Sequence, residues 1–150
     1  MSNGKRRLAR EPGTRGSANE TGGLNENDIA KAIVNAAYKV HTQLGPGLLE
    51  SVYETIMAHE IEAAGLRVVR QMPVPVVYDG IRFDEGFRID LLVEEKVIVE
   101  LKSVEQLLPV HKKQLLTYLR LAEKRLGLLV NFGASMIRDG ITRVVNGLCE

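Results

Sequence analysis

Charged residues set inside apolar runs constrain this chain more than anything else in it. Phe87 to Val93 and Val97 to Leu101 are two apolar-rich segments joined by Glu94-Glu95-Lys96, the pattern of a β-hairpin with largely buried strands. Asp90, Glu100 and Lys102 interrupt that pattern. Because side chains alternate along a strand, Glu100 and Lys102 share one face while Val99 and Leu101 take the other. A buried ionised group is costly unless it is paired or bound to a metal, so this trio has to be explained.

Strand phase sharpens the requirement. Asp90 joins the face of Glu100 only if the pairing sets 90 opposite 100, or shifts by an even number. That pairing puts 93 opposite 97 and makes Glu94-Glu95-Lys96 a three-residue loop, with the left-handed conformation expected at its last residue, Lys96. A two-residue loop would turn Asp90 to the opposite side unless a bulge restored the phase.

Around this hairpin the chain reads as one domain. Its 150 residues, 45% hydrophobic and 26% charged, suffice for one substantial core and leave no room for a second. No apolar run reaches the roughly 18 residues of a membrane span, and the first residues are polar where a signal peptide needs an apolar stretch, so the expectation is a cytoplasmic protein. The single cysteine, Cys149, excludes an internal disulfide and a cysteine-based zinc site. His41 and His59 have no second ligand at metal spacing.

Charge is uneven along the chain. Residues 1–23 hold Lys5, Arg6, Arg7, Arg10 and Arg15 against Glu11 and Glu20, a balance of +3, which leaves 15 basic and 17 acidic side chains in residues 24–150. The first segment reads as a disordered basic tail or an extension, and residues 24–150 as the folded domain. Since that domain is slightly acidic, binding to nucleic acid would depend on a local patch and on metal ions rather than on overall charge.

Helical spacing begins at Asn25, with Asn25 or Asn27 as the N-cap, and runs through Ile29, Ala32, Ile33, Ala36, Ala37 and Val40 to the break at Gly45-Pro46-Gly47. A second helix spans about Leu48 to Ala64 and closes at Gly65. Extended segments follow at 67–71 and 74–78, where Pro73 and Pro75 argue for an edge strand or a bulge, and Asp79-Gly80 marks a turn. After the hairpin, Pro109 opens a helix to about Lys124; Leu126–Asn131 and Ile141–Val145 read as strands.

The spacing of Asp90, Glu100 and Lys102 resembles the acid, gap, acid-x-Lys signature of the PD-(D/E)XK nuclease superfamily, although Ile89 stands where that signature has proline. A second stretch, Gly47-Leu48-Leu49-Glu50-Ser51-Val52-Tyr53, reads as GxxExxY and is similar to the motif that names a family of small bacterial proteins within the superfamily. The resemblance runs from about Leu24 nearly to the C-terminus. It implies an α/β (α+β) fold, a mixed central β-sheet flanked by helices with a restriction-endonuclease-like core.

It also implies a chemistry. Asp90 and Glu100 would be ligands to Mg²⁺, with Mn²⁺ as a substitute, joined by the carbonyl of Leu101 and by Glu50 from the second helix. Lys102 would orient or help deprotonate the attacking water, or stabilise charge developing on the phosphate. Gln114, with Tyr118 four residues on, matches a Gln-xxx-Tyr element beside the active site in one branch of the superfamily, and His111 lies on the same side. Tyr53, Glu54, His111 and Tyr118 are candidates for supporting or substrate contacts. Each residue also has a plain alternative: a cross-strand salt bridge for Lys102, a solvated helix face for Glu50 and Glu54, packing for Tyr53, and the exposed start of an amphipathic helix for His111.

The implied function is a magnesium-dependent nuclease acting on DNA, with RNA or a small nucleotide as the other substrates this chemistry serves. Cutting both strands would favour a homodimer. The alternative is a catalytically inactive nucleic-acid-binding or protein-interaction module on the same fold.

Overall fold

A computed structural model describes residues 23–149; most of the basic segment at 1–23, and any judgement on it, lies outside them. Two helices come first, α1 (Glu26–Leu44) and α2 (Glu50–Ala63), then three strands, β1 (Val68–Tyr78), β2 (Ile81–Val93) and β3 (Val97–Lys102). Helix α3 (Pro109–Ala122) leads to β4 (Leu126–Asn131), and a single turn, α4 (Ile137–Gly140), to β5 (Ile141–Val145). The strands form one five-stranded sheet in sequence order. Neighbours are antiparallel except β3 and β4, which are parallel because α3 carries the chain back across the sheet. The result is the mixed sheet with flanking helices that the sequence implied. Among the described residues no helix is long and apolar enough to cross a membrane.

The helix boundaries follow local chemistry. Asn25 accepts the amide of Asp28 at 2.8 Å and so caps α1. At the end of α2 the amide of Leu66 donates to Ile61 and that of Gly65 to Glu62, a Schellman closure that needs the left-handed glycine at 65. Pro109 is the first residue of α3, where its missing N–H costs nothing.

Helices α1, α2 and α4 cover one face of the sheet and α3 the other. Leu91, Val93, Val97, Val99, Leu101, Leu128 and Val130 pack with Ile29, Ile33, Tyr53, Met57 and Ile61 on the first side. Ile89, Leu92, Ile98 and Leu129 meet Leu115 and Leu119 on the second. With both faces covered, β4 is buried at every residue and β3 at all but Lys102, which is why they read as continuous apolar runs.

The segments 67–71 and 74–78, read from sequence as two strands, are one. Pro73 and Pro75 are accommodated because β1 is an edge strand with a bulge between Val74 and Val76. One further irregularity matters for the site. Val68 and Arg70 turn toward α2, yet Met72 and Val74 pack with α3, although residues two apart in a regular strand share a face. The change falls at Gln71, whose φ is 52°.

The hairpin loop has the required odd length. Val93 pairs with Val97, Leu92 with Ile98 and Leu91 with Val99. Left-handed geometry is not at Lys96, however: Glu94 (φ 52°) and Glu95 (φ 57°) carry it, and the Lys96 amide donates back to Val93 at 3.0 Å. The chain turns early because Glu94 is held by Arg67, the residue just before β1, its amide donating to the Arg67 carbonyl and its carboxylate accepting the Arg67 amide at 2.7 Å. Glu95 has no such tie. Glu95→Gly is therefore expected to stabilise the protein by about 0.5 to 1 kcal/mol, the relief of a left-handed L-residue less the added freedom of the unfolded chain. A urea midpoint no higher than that of the original chain would contradict this.

Candidate functional site

The β2–β3 ladder ends at Leu91 and Val99, and beyond it the strands are held by carboxylates instead of by each other. The Asp90 amide donates to Glu100 Oε2 at 3.1 Å, and the Leu101 amide donates to Asp90 Oδ2 at 2.9 Å. Each acid thus bonds the opposite strand's backbone, and both converge on one gap in the sheet. Since the N–H and C=O of a strand residue leave by the same edge, the Leu101 carbonyl faces that gap as well.

Concentrating negative charge there is costly. Glu100 is only 8% exposed. Burial first, and the Asp90 charge second, push its carboxyl up to about 8, against the opposing pull of the Asp90 amide and the Lys102 ammonium. Asp90 is raised too, chiefly by burial, with Glu54 and Glu50 adding to it and the Leu101 amide and Gln71 resisting. Lys102, half-buried, follows Glu100 by two residues and projects to the same side. It forms no ion pair among the described residues, so the cross-strand salt bridge is absent; its charge reaches Glu100 without closing a contact.

Helix α2 places its two acids in different surroundings. Glu50, at the first turn, is exposed, its Oε2 lies 3.4 Å from the Ser103 amide, and its charge raises both Asp90 and Glu100. Glu54 is not on a solvated face: it is 7% exposed, takes Arg70 Nε at 3.0 Å and receives the Gln71 side-chain amide at 2.7 Å. Tyr53 is fully buried, stacked on Phe132 with centroids 4.3 Å apart. Its hydroxyl donates to the Gly45 carbonyl and accepts the Leu48 amide, so it fastens the Gly45-Pro46-Gly47 turn, where both glycines have positive φ, and thereby sets where α2 and Glu50 begin.

On α3, His111 is taken up by capping: its Nδ1 accepts the Leu108 amide at 3.1 Å. Gln114 is exposed and makes no hydrogen bond among the described residues. Tyr118 stacks on Phe87 at 4.1 Å, and its hydroxyl is raised by burial and then by the charges of Glu100 and Asp90.

A buried carboxylate, a half-buried one and a backbone carbonyl are hard oxygen donors of the kind Mg²⁺ and Mn²⁺ accept, and Mg²⁺ often rests on one or two carboxylates while keeping several waters. The donor set fits such an ion. Among the described residues no three acids or histidines stand close enough to form a metal cluster by themselves, so Glu50 is not gathered with the other two.

Two residues have roles that the sequence reading did not assign. Gln71 bridges Glu54 and Asp90, and no motif marks it. Asn131, 3% exposed, accepts the amides of Val104 and Gly133 at 3.0 Å each and donates to the Val104 carbonyl at 2.9 Å. This clamp holds the chain just after Lys102. A Cβ on Gly133 would sit 2.1 Å from the Val104 carbonyl oxygen, so Asn131-Phe132-Gly133, legible only as a strand end and a turn, is what lets that segment approach.

In comparisons with known proteins, a family model described as PD-(D/E)XK nuclease superfamily matches residues 27–144. No curated protein and no solved structure gives a match.

Proposed function

Because the chain belongs to the PD-(D/E)XK nuclease superfamily, we propose that it is a divalent-metal-dependent nuclease that hydrolyses phosphodiester bonds in DNA, of the GxxExxY type marked by Gly47, Glu50 and Tyr53. The observation that carries this reading is the convergence of Asp90 and Glu100 on one gap, with the Lys102 ammonium nearby and in no ion pair among the described residues. Asp90, Glu100 and the Leu101 carbonyl would hold Mg²⁺ or Mn²⁺, and Glu50 would add its charge. When bound, the ion offsets the charge on the scissile phosphate and makes water acidic enough to attack near neutral pH.

The chain's own groups do the rest. Lys102 orients the attacking water or stabilises the phosphate oxygens as charge grows on them. Gln114, exposed on α3, contacts the phosphate backbone, and the Tyr118 hydroxyl supports the acids from the same side. A second reading, a binding module that does not cut, is favoured by one observation: Glu50 is not gathered with Asp90 and Glu100.

The two separate in one assay. The purified chain, offered linear, nicked, branched and single-stranded DNA, is expected to cut at least one of them with Mg²⁺ or Mn²⁺ and none in EDTA. Survival of every substrate with both metals would move the assignment to the binding module.

A further inference from the structure

Gln71 and Asp90 fall between the partners Arg70↔Leu91 and Met72↔Ile89 without forming a pair of the ladder themselves, and Gln71 sits left-handed in the middle of a strand. That conformation is unfavourable for a residue with a Cβ, so the surroundings must impose it. They do so on three sides. The Arg88 guanidinium donates to the Gln71 carbonyl at 2.8 Å. Arg70, turned toward α2 by the same kink, pairs with Glu54. The Gln71 side-chain nitrogen lies 2.7 Å from Glu54 Oε1 and 3.2 Å from Asp90 Oδ1, one N–H for each carboxylate. The amide can point only this way, since its oxygen would otherwise face two carboxylates.

Asp90 is consequently held at both oxygens by neutral donors, Oδ2 by the Leu101 amide of β3 and Oδ1 by Gln71 of β1. The same contact inserts an amide between two like-charged groups. We infer that Gln71 is a positioning residue: its strained backbone and forked amide, anchored by Glu54, fix the Asp90 carboxylate in the orientation that receives a divalent cation. This rests on the nuclease reading above.

The test measures cation binding directly, by electron paramagnetic resonance of free Mn²⁺, beside melting curves recorded without metal. Gln71→Gly removes the amide while relieving the backbone, so its melting temperature should not fall, yet Mn²⁺ should bind about 10- to 100-fold more weakly. Gln71→Asn tolerates the left-handed backbone but is one methylene too short to reach both acids, and it should lose a similar factor. Mn²⁺ binding by both variants within about threefold of the original chain, well inside the range expected for an outer-shell partner, overturns the inference. So does a loss of binding confined to variants whose melting temperature has also dropped. Asp90→Asn is the control: if it binds Mn²⁺ as the original chain does, the metal site is not at Asp90, and the nuclease reading fails together with this inference.

Discussion

Lys102→Ala is expected to lower metal-dependent DNA cleavage by about 100- to 10,000-fold, the range for a positioned acid–base or charge-stabilising group. The fold should survive the change. Lys102 is half-buried at the end of β3 and forms no ion pair among the described residues, so removing it strands no buried partner. What disappears is a positive charge beside Glu100 and a short aliphatic stem. A shift of only a few degrees in melting temperature is therefore expected, since surface-like substitutions of this kind stay within about 0.5 kcal/mol. Lys102→Arg should not restore cleavage, because a planar guanidinium cannot place a compact charge at the same point. Cleavage by the alanine variant at the original rate, in a sample that melts normally, would remove Lys102 from the mechanism.

How far the sequence anticipates this site depends on the range of the forces involved. Strand alternation is local, so the odd loop could be stated before any coordinates as a condition the site must meet, and the loop meets it; that the two acids then bond across the end of the ladder was not legible. Caps are local too, and Asn25, Pro109 and Gly65 fall where their chemistry places them. Family resemblance supplied the fold and the choice of acids. Tertiary partnership was not legible. Glu50 and Glu54 are one helical turn apart and a solvated face was open to both, but Glu54 is claimed by Arg70 and Gln71, residues on a strand whose face change comes from a single left-handed backbone. The shift of left-handed geometry from Lys96 to Glu94 and Glu95 likewise depends on Arg67, 27 residues away from Glu94. His111 is the milder case, since a polar side chain at the third position of a helix is a capping signal that sequence could have offered.

Glu100→Gln should separate stability from function, in opposite directions. The Glu100 carboxyl, ordinarily near 4.5, is pushed up to about 8 in the folded chain, by burial first and by Asp90 second. Between those two values the unfolded chain has released a proton that the folded chain still holds. Stability therefore falls as pH rises through this window, levels off above it, and is fully kept below it. The span corresponds to an upper bound of about 5 kcal/mol, and relaxation of the site would reduce it. Glutamine keeps an oxygen for the Asp90 amide and never ionises. At pH 5 the two proteins should have similar melting temperatures in EDTA, whereas at pH 8.5 the variant should be more stable by about 2 to 4 kcal/mol. If the proposed site is right, Mg²⁺ or Mn²⁺ should reverse the comparison for the original chain, because a bound cation would favour the ionised pair over the proton, whereas the variant would lack that carboxylate and gain little. Cleavage by the variant should drop with it. A melting temperature that declines between pH 5 and 8.5 as steeply in the variant as in the original chain would show that Glu100 is not the group holding the proton, and that the negative charge in this gap is arranged otherwise.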